Sequence, residues 1–344
     1  MKLKTRFSLS KGTKQLLILT LVVILIVSSI AISITFLGSE KTSKKPSEND
    51  YDRFPDFITK NKDYFITRIG FAPYIDSNTY TLNVWGKIDN PKKFNLTELQ
   101  ALDLVEQTLT TECIGNPAKG PLLSTAVWKG FLIYDFLKSL GLKENATGVK
   151  YKAADGYYVS HTLEQLKNNG TIGALYMNGE ILPRNQGFPL RIVNPGYYGA
   201  KQPAWVVEIE VIDRPLEDYW DDRGWDTSPP MPVDSTIFFP NDNVNITVGI
   251  PLTIGGAGFG GTRISKIEYT INMGLDWTQV TIVKSIDKDH VWVFWEINIT
   301  FNVSGTFSLY TKATDIHNNT QPQNDLILND GFNGWPRLII KVND

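Results

Sequence analysis

The chain of 344 residues contains one cysteine, Cys113. A lone cysteine cannot form an internal disulfide, build an iron–sulfur cluster or supply the Cys-x-x-Cys-His pair that attaches haem. It is a buried small hydrophobe, a spare thiol or a working sulfur. Histidine is almost as scarce. His161, His290 and His317 are too scattered for a zinc site, and none sits in a nucleophile motif. Acidic and basic residues nearly cancel, leaving a formal charge of −2, and no basic cluster occurs beyond the first residues. No nucleic-acid partner is therefore expected. A dinucleotide fingerprint is present only on paper. Gly256-Ala-Gly258-Phe-Gly-Gly261 has the glycine spacing, but a strand pattern follows it where a helix is required. It reads as a loop.

What is present is strand and turn chemistry: 12% aromatic residues, nine Trp, 27 Gly and 18 Pro. Near the N-terminus, Lys2, Lys4, Arg6, Lys11 and Lys14 precede an uncharged run from Leu16 to Leu37. At about 1.5 Å per residue that run spans a hydrocarbon core of about 30 Å. It is also longer than the apolar core of a cleaved signal peptide. The positive-inside rule keeps residues 1–15 cytoplasmic, makes 16–37 a transmembrane anchor and places everything from residue 38 outside. Asn-x-Ser/Thr triplets beginning at Asn95, Asn145, Asn169, Asn245, Asn298, Asn302 and Asn318 suit that side as glycan acceptors.

Residues 38–60 read as a polar stalk. From 61 to 228, strands and short helices are interspersed, the pattern of a mixed α+β domain. Thr108 to Thr111 is a β-branched strand, and Gly115-Asn116-Pro117 a turn, so Cys113 stands at a strand end. Thr97 caps a short helix, Trp128 to Leu140 has helical spacing, and Leu163 to Asn168 is another short helix. Asp155-Gly156 and Asn178-Gly179 turn hairpins. After a linker from Asp213 to Val233, strand candidates recur at 8–12-residue spacing. They are Asn245–Val248, Ile264–Asn272, Trp277–Val283, Val291–Ile299, Thr306–Thr314 and Arg337–Val342. Residues 229–344 are expected to form an immunoglobulin-like sandwich without its disulfide.

Three segments carry a resemblance. They are Thr108-Leu-Thr-Thr-Glu-Cys-Ile-Gly-Asn, Asp155-Gly-Tyr-Tyr-Val-Ser, and the long run Tyr176-Met-Asn-Gly-Glu-Ile-Leu-Pro-Arg-Asn-Gln-Gly-Phe-Pro-Leu-Arg-Ile-Val-Asn-Pro-Gly-Tyr-Tyr-Gly-Ala-Lys. From Phe65 to Asp344 the chain resembles the sulfite oxidase family of molybdopterin-dependent oxidoreductases, whose cofactor domain is followed by an immunoglobulin-like dimerisation domain. The resemblance implies that Cys113 ligates molybdenum beside the dithiolene of a pyranopterin. It further implies that Arg68 lies near the metal and that Thr111, Gln186, Gly187, Arg191, Gly199, Ala200 and Lys201 hold the cofactor, with Lys201 on its phosphate. Trp128, Trp220 and Trp225 could line an apolar pocket.

Departures from the family pattern bear on the substrate. Ile69-Gly70 replaces the Asn-His that follows the family arginine, and Gln186 replaces a histidine. Pro117-Ala118 stands where sulfite oxidases carry an arginine, Tyr219-Trp220 leads to Trp225 where a catalytic tyrosine is usual, and Asp330 replaces another arginine. An oxyanion needs converging cations. The expected activity is two-electron oxygen-atom transfer on a small, weakly charged molecule such as a sulfoxide. Sulfite oxidation and a cofactor-free surface binding protein are the alternatives. Electrons would pass through an external carrier, a cytochrome or a quinone-linked membrane subunit, and the family suggests a homodimer.

Overall fold

In a computed structural model, residues 53–344 are described, except for 326 and 328. The expected basic tail, anchor and most of the stalk lie outside them. Among the described residues no helix is long and apolar enough to cross a membrane.

The first part of the chain runs β1 (Thr81–Gly86), β2 (Lys92–Asn95), α1 (Leu96–Gln100), β3 (Leu104–Glu112), β4 (Leu123–Leu132) and α2 (Ile133–Ser139). It continues with β5 (Gly148–Ala153), β6 (Tyr158–Thr162), α3 (Leu163–Asn169), β7 (Ile172–Met177), β8 (Glu180–Ile181), β9 (Arg191–Val193) and β10 (Val206–Ile212). One sheet has the order β2-β1-β10-β5-β6; the other is β3-β4-β7-β8, with β9 added on β7. A core of Leu82, Val84, Leu99, Phe131, Leu137, Tyr151, Ile192 and Ile209 forms the main apolar cluster of this domain. A second cluster, with Tyr64, Leu109, Ala126, Trp128 and Val193, lies under β3, β4 and β7.

Local chemistry explains the short helices. Asn95 caps α1, accepting the Glu98 N–H while Glu98 accepts the Asn95 N–H. That reciprocal box displaces Thr97, the expected cap, into the first turn. Thr162 and Gln165 build the same box on α3, and Gly170 ends it in the left-handed region. The helix expected from Trp128 begins only at Ile133. Residues up to Leu132 pair with both β3 and β7. A strand covered on both faces shows a near-continuous apolar run, which periodicity alone does not distinguish from a buried helix.

The remainder is a β-sandwich. β11 (Asp234–Phe239), β13 (Leu252–Phe259), β17 (Val293–Ile299) and β16 (Thr281–Lys284) form one sheet. β12 (Val244–Thr247), β19 (Arg337–Asn343), β18 (Gly305–Asp315), β14 (Ile264–Thr270) and β15 (Thr278–Gln279) form the other. Trp295, Ile254, Leu309 and Ile340 fill the space between them. The glycine run expected as a loop is instead the inner strand β13. Its glycines make room for neighbours, since a Cβ on Gly255 would fall 2.3 Å from the Phe239 ring and one on Gly256 1.9 Å from the Thr236 carbonyl.

The sandwich is bolted to the strand that ends at Cys113. The Thr110 N–H donates to the His290 carbonyl at 2.8 Å, and the Trp292 N–H donates to Thr110 Oγ1 at 2.8 Å. Phe57, Ile114, Tyr198, Met231, Phe259 and Trp292 form an apolar seam between the two parts.

Candidate active site

Glu112 and Leu123 close the β3–β4 hairpin, and residues 113–122 loop out between them. The Cys113 N–H bonds to the Leu122 carbonyl at 3.0 Å, and the Asn116 N–H to the Cys113 carbonyl at 2.9 Å. Asn116 fixes the loop from inside. Its side chain donates to Glu112 Oε1 at 2.9 Å and accepts the Leu122 N–H at 3.0 Å. The thiol is half-buried and opens into a cleft of about 280 Å³. Burial pushes its pKa up, while the Gly115 N–H and the Thr67 hydroxyl favour the thiolate. A bound metal ion would outweigh this cost of burial, because coordination requires the deprotonated sulfur.

Around the sulfur the cleft is largely apolar and aromatic. Phe65, Ile69, Ile114, Tyr157, Trp205, Trp220 and Trp225 line it. Its charged residues are Arg68, which is exposed, Asp155, and the buried Arg191. Trp225 packs toward the Cys113 loop, 3.9 Å from where a Cβ on Gly115 would stand.

Arg191 is only 8% exposed and forms no ion pair among the described residues. Its Nη1 donates to the Gln186 backbone carbonyl at 3.2 Å and weakly to Gln186 Oε1 at 3.5 Å, and the guanidinium lies 5.3 Å over the Trp128 ring. Its Nε is buried without a partner. Burial lowers its pKa, but arginine remains charged in proteins. A buried charge lacking a counter-ion is strongly unfavourable. The site is thus suited to an anionic group, and with the Cys113 thiol nearby in the same cleft it fits molybdopterin.

The other expected residues divide. Gln186, Gly199 and Ala200 line the cleft, and Gln186 donates to the Tyr64 carbonyl at 3.2 Å. Gly187 sits behind it at φ +118°, its carbonyl accepting the Trp205 N–H at 3.2 Å. Thr111 is fully buried beneath the cleft, 3.5 Å from Gln202 Oε1, and does not line it. Lys201 does not line the cleft either. Its side chain turns away, 2% exposed, and pairs with Asp218 at 3.0 Å. Trp128 is fully buried core, not pocket wall; Trp220 and Trp225 are wall. Asp155, Tyr157 and Trp205 were not among the expected site residues. The first two lie inside the Asp155-Gly-Tyr-Tyr segment, the available signal, and the Tyr157 hydroxyl donates to the Ala200 carbonyl at 2.7 Å.

His161 lies under the same wall, fully buried, with Nε2 2.9 Å from the Lys201 carbonyl and Nδ1 unpartnered. Burial, reinforced by the Lys201 charge, lowers its pKa to about 3 from an unfolded 6.5. Between those values the unfolded chain binds the extra proton, so stability falls as pH falls below 6.5. The loss approaches about 1.4 kcal/mol per pH unit. Urea unfolding at pH 7.5 and 5.5 checks this as a difference. Wild type is expected to lose about 1 kcal/mol more than His161→Asn, other titrating groups cancelling between the two.

Residues 69–220 match the family described as the oxidoreductase molybdopterin binding domain, and residues 226–342 the Mo-co oxidoreductase dimerisation domain. A sulfite oxidase of Arabidopsis thaliana is 27% identical over 78% of this chain and 83% of that one. A nitrate reductase [NAD(P)H] of Hordeum vulgare is 26% identical over 83% of this chain, which spans only 39% of that relative. This chain likewise spans 57% of the mitochondrial sulfite oxidase of Macaca fascicularis. Among solved structures, the sulfane dehydrogenase SoxCD from Paracoccus pantotrophus superposes with a TM-score of 0.71 at 20% identity, covering 83% of this chain and 84% of that one. The fold and the site define a molybdopterin-dependent oxidoreductase. The chain belongs to the sulfite oxidase family.

Proposed function

We propose that this enzyme transfers an oxygen atom to or from a weakly charged substrate, with a sulfoxide as the leading candidate, on the outer side of a membrane. The observation that carries this reading is the lining of the cleft. Among the described residues Arg68 is its only exposed cation, against a wall of tryptophan, tyrosine, phenylalanine and isoleucine. A dianionic oxyanion there would give up water without the converging charge-assisted bonds that compensate it. A small apolar body bearing one polar S=O group fits better.

Molybdopterin supplies the two-electron chemistry when bound. Cys113 would ligate the metal, Arg191 would neutralise anionic charge on the cofactor, and Gln186, Gly199 and Ala200 would wall it. Arg68 and the Thr67 hydroxyl offer hydrogen bonds at the substrate end, while the Trp220–Trp225 wall excludes water. The reductive direction is balanced as R₂SO + 2 e⁻ + 2 H⁺ → R₂S + H₂O, with a one-electron carrier acting twice. An external cytochrome or quinone-linked protein is the proposed carrier. Anchoring through residues 16–37 would hold the enzyme beside it, and the dimerisation domain supports a homodimer.

Sulfite oxidation is the second reading, favoured by the similarity to sulfite oxidases over most of the described chain. The protein purified with its cofactor separates the two. Dimethyl sulfoxide should oxidise a reduced viologen dye in its presence, whereas sulfite should reduce ferricyanide poorly. A faster sulfite reaction would reverse the assignment.

A further inference from the structure

Lys201 stands in a buried ion pair where two cleft-lining stretches meet. The short turn Gly199–Lys201 lines the cleft with Gly199 and Ala200, and the linker contributes Trp220 and Trp225. These stretches meet at one buried ion pair. Lys201 Nζ lies 3.0 Å from Asp218 Oδ1, the side chains being 2% and 4% exposed, and 3.2 Å from the Ser160 carbonyl. Asp218 Oδ1 also accepts the Ser160 N–H at 3.0 Å. Ser160 Oγ donates to the Glu217 carbonyl at 2.8 Å, and the Tyr219 N–H donates to the Tyr158 carbonyl at 3.0 Å. Residues 217–219 are thereby laced onto β6, from which His161 reaches the Lys201 carbonyl.

Beyond Asp218 the linker folds into a closed lip. Asp221 Oδ1 accepts both the N–H and the hydroxyl of Thr227, and Trp220 and Trp225 meet edge to face at 6.3 Å. The far end is held by Asn329 of the sandwich, whose carbonyl accepts the Asp226 N–H at 2.9 Å and whose amide donates to the Gly224 carbonyl at 3.2 Å. At the near end Asp218 ties the lip to the Gly199–Lys201 turn through Lys201. We propose that Lys201 and Asp218 are the positioning pair of this cleft: they lock the aromatic lip to the Gly199–Ala200 turn and so fix the space available to a substrate above Cys113.

A buried ion pair is seldom retained for stability, because well-packed apolar residues of similar volume often serve as well or better. What apolar residues cannot supply is the directional bonding from Asp218 to Ser160 and from Lys201 to β6. The inference rests on reading the cleft as the substrate site, but its test needs no turnover and survives the failure of any particular substrate.

Hydrogen–deuterium exchange of the full-length, cofactor-loaded enzyme would be compared between wild type, Asp218→Asn and the double variant Lys201→Met/Asp218→Leu. Asp218→Asn is expected to accelerate exchange at least about tenfold in residues 197–204 and 216–228, leaving the sandwich strand Val293–Ile299 unchanged. The double variant should melt near the wild-type temperature yet keep those two segments fast. Unchanged protection in Asp218→Asn would overturn the proposal. So would an increase spread evenly over the chain, the return of protection in the double variant, or failure of both variants to fold. Each of those outcomes would make the pair a structural element only.

Discussion

Cys113→Ser is expected to abolish molybdenum-dependent turnover while leaving the fold in place. Serine keeps the shape of the side chain but loses the soft, charge-donating thiolate, and its hydroxyl resists deprotonation near neutral pH. The loss in rate should exceed about 10²–10³-fold, the effect of deleting a single donor at a reacting centre. Stability should move by less than about 1 kcal/mol, because the thiol is half-buried and the loop is held by Asn116 and the backbone. Elemental analysis gives the metal content, and a thermal melt of the same sample gives the fold. Undiminished turnover in a molybdenum-loaded serine variant would remove Cys113 from the metal site.

Arg191→Met should act in opposite directions on the cofactor and on the cofactor-free protein. Among the described residues, a guanidinium is buried over Trp128 with its Nε unpartnered and no carboxylate paired with it. Methionine fills much of the same volume without the charge. The cofactor-free variant is therefore expected to be as stable as wild type or more so, by up to about 1–4 kcal/mol, the range measured when buried charges give way to packed apolar groups. Cofactor affinity should fall about 10–100-fold through loss of a charge-assisted contact of about 1.5–3 kcal/mol. Chemical denaturation of the cofactor-free forms and fluorescence of the released pterin give the two numbers. A variant that unfolds without cofactor while retaining it when loaded would show Arg191 to be structural. The same buried charge weighs against a cofactor-free binding protein, for which an uncompensated guanidinium would be a permanent cost.

The parts legible in the sequence were those that depend on neighbours along the chain. The Asn178-Gly179 turn is read directly, Asn178 taking φ +52° and Gly179 φ +80°. Helix α3 follows from its Thr162–Gln165 box and Gly170, and the strand leading to Cys113 from its β-branched run. Most sandwich strands followed from alternation and spacing, but β11 and β13 were not among those expected, and the expected strand Trp277–Val283 divides into β15 and β16, which join different sheets. At β13 no property of the glycines themselves marks a strand; the ring of Phe239 and the carbonyl of Thr236 decide it from across the sheet.

The site shows the same division. Motif and order were enough to single out Cys113, Arg191, Gln186 and the Gly199–Ala200 turn, since a cleft built on strand ends reuses local sequence. The direction of a long side chain is not a local property. Lys201 belongs to the same motif as Arg191, yet it turns inward because Asp218, arriving from the linker, offers a buried carboxylate and Ser160 a carbonyl. Trp128 and Trp225 are equally aromatic on paper, but one lies beneath Arg191 and the other faces the cleft. By itself, the sequence determined the class of protein and singled out Cys113 as the candidate metal ligand. Which cations face the cleft, and hence how little charge awaits a substrate, was decided only by tertiary structure, because burial and pairing depend on residues that meet through folding.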